Sequence, residues 1–225
     1  HWGFHAWAIY GVVGLCFAYF AFNLGRPFRV SSFFLDTGLE SAWSRVMVDV
    51  LAILATVFGI ATSLGLGATQ ISTGLQYLDI ANSSLLGTFW IIIFITILGL
   101  ISVVLGLNAG IKRLSQLNMI LCGCFLITIF LFGPTGYILD GFVENVGSYI
   151  QNFISLSTNV NAYSDTDWQN AWTLFYYCWW FAWSPFVGLF IARISYGRTI
   201  KEFILGVVFL PSLIVFIWLS VFGNA

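Results

Sequence analysis

The chain has 225 residues, of which 60% are hydrophobic and 8% are charged, with a mean hydropathy of +0.94 and a formal net charge of −1. A water-soluble fold of this length cannot bury so much apolar surface, since soluble domains are about a quarter charged. The composition therefore indicates a protein embedded in a lipid bilayer, and the near-neutral charge argues against a nucleic-acid partner.

Six apolar segments are long enough to cross a membrane as helices, which takes about 20 residues each. In chain order they are predicted at residues 7–22, 46–67, 85–107, 117–139, 172–192 and 203–222. Between the fourth and fifth segments, residues 141–157 repeat apolar side chains every three or four positions, which predicts an amphipathic helix on the membrane surface. The sequence thus predicts an all-α membrane protein with a single transmembrane domain over residues 1–225.

The charged residues predict how these segments are oriented. The basic residues all fall in every second loop, namely Arg26, Arg29, Arg45, Lys112, Arg113, Arg193, Arg198 and Lys201. The opposite loops carry acidic residues alone, namely Asp79, Asp140, Glu144, Asp165 and Asp167. Because basic loops stay in the cytoplasm, we expect the helix at 141–157 and both ends of the chain as given to lie on the outer side.

The stretch FYYCWWFAWSPF at 175–186 places Trp179, Trp180 and Trp183 near the middle of the fifth segment. Interfacial belts are the usual place for tryptophan in membrane proteins, so this depth is unusual. Pro185 cannot donate a hydrogen bond to the carbonyl of Phe181. We therefore expect a break in the helix at membrane depth, which is how transporters build substrate sites at the midplane.

Aromatic side chains also recur at helical spacing in both segments concerned. Tyr176, Trp180 and Trp183 share one face of the fifth segment, and Trp179, Trp183 and Phe186 share the adjoining face. In the first segment, Trp7 and Tyr10 lie one turn apart, with Trp2 just before them. Trp and Tyr rings without a carboxylate suit a quaternary ammonium group. The alternative is that these rings simply pack helices together, and the composition alone does not decide between the two.

Little else in the sequence suggests chemistry. The four cysteines fall inside apolar runs, which favours small buried side chains over a disulfide or a metal site. His1 and His5 stand at the start of the first segment but lack a third metal ligand. Asp49, near one end of the second segment, is expected to snorkel or to cap. We therefore expect no enzyme activity.

Four stretches carry a resemblance to a known family. They are HWGFHAWAIY at 1–10, ATSLGLGATQISTGLQYL at 61–78, GIKRLSQLNMIL at 110–121 and WWFAWSPFVGLFIARISYGRTIKEFILGV at 179–207. Together they closely resemble the betaine/choline/carnitine transporter family from end to end of the chain. The resemblance implies an inverted-repeat fold like that of sodium-coupled transporters, of which the chain would be an interior piece from about the fourth to the ninth transmembrane helix. Residues 141–157 would link the two repeats.

The resemblance implies a substrate site made of aromatic residues. The box around the trimethylammonium group would consist of Trp2, Trp7, Tyr10 and Trp180. Trp183 matches a position near the other end of the substrate, and Tyr177 and Trp179 match positions along the entry path. Trp2 is thereby reinterpreted, since its position alone suggested an interfacial belt.

A coupling-ion site is also implied by the resemblance. Betaine symporters of the family hold a sodium ion with two threonines one turn apart and a phenylalanine after Ser-Pro. Thr56 and Phe186 match the first and third positions, whereas the second is Ile60, which has no oxygen. Thr62 or Ser63 would have to substitute from another face. Sodium coupling, proton coupling and substrate exchange all occur within the family, and no other cofactor is implied.

The implied function is secondary active uptake of a small onium compound by alternating access, driven by an ion gradient. Glycine betaine, choline, carnitine and dimethylsulfoniopropionate are the candidate substrates. The resemblance also implies a homotrimer in the bacterial inner membrane. One rival is a channel or sensor that uses the same cage without transport. Another is a membrane enzyme acting on choline lipids, which would need a nucleophile, metal ligands or an acid–base pair at membrane depth.

Overall fold

The computed structural model describes residues 2–35, 37, 41–81, 84–106, 110, 112–163 and 166–224. Every regular element within these ranges is a helix. Six of the helical runs are long and apolar enough to cross a membrane. The prediction of an all-α membrane protein with six spanning helices is therefore confirmed. His1 and Asp165, used in the sequence arguments above, lie outside the described residues.

The helices follow one another along the chain with short connections. They are α1 (Phe4–Ala18), continued by a π-helical turn (Tyr19–Asn23); a 3₁₀ turn (Val30–Phe34); α2 (Ala42–Tyr77); α3 (Leu85–Val104); α4 (Lys112–Phe132); α5 (Thr135–Gln151); α6 (Phe153–Thr158); a π-helical turn (Gln169–Leu174) leading into α7 (Phe175–Ile194); and α8 (Ile200–Ile204), a π-helical turn (Leu205–Phe209) and α9 (Leu210–Asn224), which form one run.

Two predicted boundaries were wrong. Helix α2 continues to Tyr77 instead of ending at residue 67, and the chain leaves the helix only near Asp79, whose φ is +54°. Helix α4 ends at Phe132 instead of residue 139. Pro134 disfavours helical backbone at Gly133 before it and starts the next helix instead.

The region of the predicted surface helix contains two helices, α5 and α6, separated at Asn152. Helix α5 begins at Thr135, six residues before the predicted start at 141. Its buried side includes Ile138, which is 1% exposed, and it packs against α9. Helix α5 thus packs on α9, and the position of residues 141–157 at the membrane surface stays a prediction.

The predicted break at Pro185 was also wrong, because α7 is a single α-helix from Phe175 to Ile194. Proline leaves the carbonyl of Phe181 without its usual backbone donor. The hydroxyl of Ser184 donates to that carbonyl oxygen instead, at 2.8 Å. This side-chain hydrogen bond compensates locally for the proline, so the helix continues through it.

Two compact units divide the chain, one formed by residues 1–59 and 134–225 and the other by residues 60–133. The first unit contains α1, the start of α2, and α5 to α9. Every aromatic residue of the predicted substrate site lies in this first unit. The second unit contains the remainder of α2 together with α3 and α4.

Helices α1 and α7 approach each other backbone to backbone. A Cβ atom on Gly188 would lie 2.6 Å from Cγ1 of Val13 and 3.1 Å from the amide nitrogen of Gly14. Gly14 is less restricted, since its Cβ would lie 3.0 Å from Cζ of Phe203 and at an ordinary contact distance of 3.4 Å from the carbonyl oxygen of Gly188. Small residues are the usual means of close helix packing in membranes. These two glycines therefore set the distance between α1 and α7.

Replacing Gly188 by alanine should destabilise the protein by about 1–3 kcal/mol, because the added methyl overpacks a contact that includes backbone. The measurement is the apparent melting temperature of the purified full-length protein. Gly123→Ala is the matched control, since a Cβ there would have no neighbour within 4 Å. Equal melting temperatures for the two variants would contradict the proposed role of Gly188.

Candidate functional site

Trp2 lies just before α1 and rests on the aromatic face of α7. Its ring meets Trp180 edge to face, with centroids 5.2 Å apart and planes at 76°. It contacts Tyr176 at 5.3 Å and Trp179 at 6.1 Å in the same manner. Edge-to-face pairs place ring planes nearly at right angles, as adjacent walls of a box would be. Trp2 is thus brought to Trp180 from 178 positions away in the sequence.

Trp180 is the centre of this cluster. It is 1% exposed and also packs on Tyr176 at 6.0 Å and on Tyr177 at 5.1 Å. Of the three rings predicted to share this face, Tyr176 and Trp180 contact each other, whereas Trp183 has other neighbours. The indole N–H of Trp180 is buried without a hydrogen-bond partner in the described part of the chain.

Trp7 and Tyr10 form a second aromatic pair, 5.8 Å apart with planes at 73°. Among the described residues, no ring contact joins this pair to Trp180. A cation binds within about 6 Å of each ring centroid, so opposite walls of a cage stand up to about 12 Å apart. That this pair and Trp180 form opposite walls around one ligand stays a prediction.

Trp183 has different neighbours from the rest of the set. Its indole lies against α2 at Gly59, where a Cβ would be 2.6 Å from Cδ1 of the ring. Its ring partner is Phe186 at 5.7 Å. The structure thus places Trp183 beside α2, whereas Tyr177 and Trp179 stay with the Trp2 and Trp180 cluster.

Thr56 and Phe186 line one groove, whose volume is about 520 Å³. The groove also contains Asp49, and the hydroxyl of Thr56 donates to the carbonyl of Ala52 at 2.9 Å. The carboxylate of Asp49 accepts hydrogen bonds from the N–H and the hydroxyl of Ser31, both at 2.9 Å. Asp49, inside α2, therefore caps the 3₁₀ turn of Val30–Phe34 and not the end of its own helix. Within the described ranges, no three metal-ligating side chains cluster.

Sequence reasoning missed Tyr149, which it treated as one apolar position of the surface helix. Its hydroxyl accepts the backbone N–H of Phe4 at 3.1 Å and lies 3.3 Å from Nδ1 of His5. Burial raises the pKa of the Tyr149 hydroxyl, and the Phe4 N–H opposes part of that rise. The side chain is therefore a neutral phenol at physiological pH. Its partners lie 145 and 144 positions away, so no local pattern reveals them.

Six helical runs long and apolar enough to span a membrane, with clustered aromatic rings on two of them, define a multi-pass membrane protein. A family model narrows this class. The model described as the betaine/carnitine/choline family transporter matches residues 1–225, and the chain belongs to that family.

Relatives from several bacteria agree with this assignment. Over 228 residues the chain is 45% identical to "Glycine betaine transporter OpuD" of Bacillus subtilis (strain 168), covering 99% of this chain and 44% of that protein. It is 45% identical to "Glycine betaine/proline/choline transporter VP1723" of Vibrio parahaemolyticus, covering 100% and 41%. A "Glycine betaine transporter" of Acinetobacter baylyi is 41% identical, at 100% and 34%. The chain thus spans less than half the length of these relatives.

Ser184→Ala should destabilise the full-length protein by about 1 kcal/mol, because it leaves the Phe181 carbonyl without a donor. In a Pro185→Ala background the same change should cost less, since alanine, unlike proline, has a backbone N–H to offer that carbonyl. The measurement is a double-mutant cycle of melting temperatures. Strict additivity of the two substitutions would show that the Ser184 hydroxyl does not compensate for the proline.

Proposed function

We propose that the protein to which this chain belongs is a secondary active transporter for a small quaternary-ammonium or sulfonium compound. The substrate class includes glycine betaine, choline, carnitine and dimethylsulfoniopropionate. Family membership supports transport, and the names of three relatives support glycine betaine in particular. Uptake would proceed by alternating access and be coupled to an ion gradient. The family resemblance suggests a homotrimer.

The main observation behind the proposal is that Trp180 is buried among aromatic rings on helices whose sequences contain no carboxylate. Helices α1 and α7 contain no Asp or Glu in their sequences. Attraction for a cation must then come from ring faces, each worth about 0.5–1 kcal/mol when exposed and about 2 kcal/mol or more when desolvated. An ammonium with N–H groups would leave those donors unsatisfied in such a site, whereas a methylated onium has none to satisfy. The site therefore favours a fully methylated cation.

Unpaired indole donors weigh against the alternative that the rings only pack helices. The Nε1 atoms of Trp7, Trp180 and Trp183 are buried without partners among the described residues. Leaving a buried donor unsatisfied costs about 1–3 kcal/mol. Phenylalanine rings would pack without that cost but attract a cation less strongly than tryptophan faces do, which favours the cage.

Each aromatic residue has a place in the proposed path. Trp2, Trp7, Tyr10 and Trp180 would surround the onium group. Tyr177 and Trp179 would line the entry path beside them. Trp183, seated at Gly59 of α2, would close the site towards the groove of Thr56 and Phe186. Small shifts of α1 against α7 at their glycine contact would open and close the site.

A channel or sensor with the same cage is the competing function. Membrane vesicles containing the full-length protein distinguish the two. Accumulation of glycine betaine above its external concentration requires coupling, which a channel cannot supply. Equilibration without accumulation under every imposed ion gradient would exclude the transporter.

Replacing Trp180 by leucine should weaken binding of glycine betaine at least about 30-fold, which corresponds to losing one desolvated ring–cation contact of about 2 kcal/mol. The dissociation constant of the purified protein measures this directly. Trp43→Leu is the control, since Trp43 is 67% exposed at the start of α2. Unchanged affinity in Trp180→Leu, with the protein folded, would refute the cage.

Replacing sodium by potassium at fixed pH should leave the initial rate of uptake unchanged to within about twofold. The reason is that Ile60 offers no oxygen where a second threonine ligand is expected, and a sodium ion needs several oxygen ligands. Ile60→Thr is the complementary variant and should create a dependence on sodium. Strict sodium dependence of the natural protein would contradict this prediction.

A further inference from the structure

The start of α1 is held by a tyrosine from a distant helix. Gly3 is the residue that precedes α1, and it has no side chain with which to cap the helix. The first N–H groups of any helix lack partners within it. The Tyr149 hydroxyl accepts the N–H of Phe4 at 3.1 Å. Tyr149 therefore supplies from α5 the capping bond that the local sequence does not provide.

The same hydroxyl belongs to a chain of hydrogen bonds whose direction follows from its members. The Ser157 hydroxyl donates to the carbonyl of Phe153 at 2.6 Å, so it accepts where it meets Nε2 of His5 at 2.7 Å. A neutral His5 that donates from Nε2 accepts at Nδ1. The Tyr149 hydroxyl lies 3.3 Å from Nδ1 and donates its single hydrogen there. Both sides of this hydroxyl are thus engaged with α1.

The Tyr149 ring, like its hydroxyl, is held in place by contacts with neighbouring side chains. It contacts the rings of Phe216 at 4.9 Å and Phe153 at 5.8 Å. Gly3 makes this approach possible, since a Cβ there would lie 2.7 Å from the Phe216 ring and 3.0 Å from the Tyr149 hydroxyl. The backbone next to Trp2 therefore lies against Tyr149 and Phe216.

Ring packing does not enclose Trp2 on all sides. The indole is 40% exposed, although it rests on Trp180. A cavity of about 220 Å³ lies beside it, lined in part by Tyr149 and Phe216. Trp2 also precedes the first helical residue, so the hydrogen bonds of α1 do not restrain it. Its position therefore depends on what holds the adjoining backbone as well as on its ring contacts with α7.

We infer that Tyr149 is a positioning residue for the aromatic box. By capping α1 at Phe4 it fixes the backbone that carries Trp2, and Trp2 in turn keeps its edge on Trp180. This inference rests on the proposed function, because it assigns Tyr149 a role in the affinity of that same site. The proposed role requires no contact between Tyr149 and the substrate.

The test is Tyr149→Phe in the full-length protein, which removes the hydroxyl and keeps the ring. The dissociation constant for glycine betaine should rise about fivefold, which corresponds to about 1 kcal/mol for the lost hydrogen bond to the Phe4 N–H, the one that holds the backbone beside Trp2. Tyr137→Phe is the matched control, since it makes the same change on the same helix at a side chain that is 64% exposed. Its affinity should equal that of the natural protein. Equal affinity in Tyr149→Phe would overturn the inference.

A double-mutant cycle with Trp2→Leu separates positioning from general stability. If Tyr149 acts through Trp2, Tyr149→Phe has no further effect on affinity once Trp2 is leucine. A full fivefold loss in that background would overturn the inference. If Tyr149→Phe does not fold, Gly3→Ala serves instead, because its methyl displaces Tyr149 and Phe216. It should weaken binding when Trp2 is present and not otherwise, and a loss independent of Trp2 would again overturn the inference.

Failure of the inference differs from failure of the proposed function. If Trp180→Leu weakens binding and Tyr149→Phe does not, the cage is supported and the positioning role of Tyr149 is refuted. If Trp180→Leu leaves affinity unchanged, the cage itself falls, and the inference falls with it.

Discussion

The close contact between α1 and α7 at Gly14 and Gly188 is the constraint on which the candidate site depends. Lipid tails are as apolar as the helices, so a spanning helix gains little from hydrophobic burial against its neighbour. Attraction must come from dispersion, which requires close approach over a long contact. Two glycines allow that approach, and the rings of Trp2 and Trp180 meet at the end of it. A wider separation of the helices would leave the same rings without a common site.

The candidate site is aromatic and almost without charge, and its polar groups have other tasks. Ser184 replaces the donor that Pro185 lacks, and Tyr149 caps α1. Asp49 is likewise occupied by Ser31. Ring faces remain as the source of attraction for a ligand. The proposed cage would distinguish cations by whether they carry N–H groups, which is a coarse selection by class. Finer selection among methylated cations must come from groups that meet the other end of the substrate.

The sequence predicts the elements of this fold well, because hydropathy and the placement of charge report directly on membrane spans. Sequence-based prediction fails at positions where a single side chain or a distant contact determines the local structure. Pro185 predicts a break, and the rotamer of Ser184, which no pattern encodes, removes it. The sequence position of Trp2 suggests an interfacial residue, whereas the structure packs it against Trp180 of α7. Tyr149 reads as an apolar helix position, since its polar partners are 145 and 144 residues away. Local sequence patterns thus identify the aromatic residues of the candidate site but not the contacts that position them.

Helix α2 has 36 residues and is therefore about 54 Å long at about 1.5 Å per residue. The hydrocarbon layer is only about 30 Å thick, and fitting the whole helix inside it would need a tilt of about 56°, beyond the observed range of about 0–40°. Part of α2 must then stand among the lipid headgroups, and its final turns, with Gln70, Thr73 and Gln76, have the composition for it. Hydropathy marks only the part of α2 that lies in the hydrocarbon layer, whereas backbone hydrogen bonds continue the helix beyond that layer.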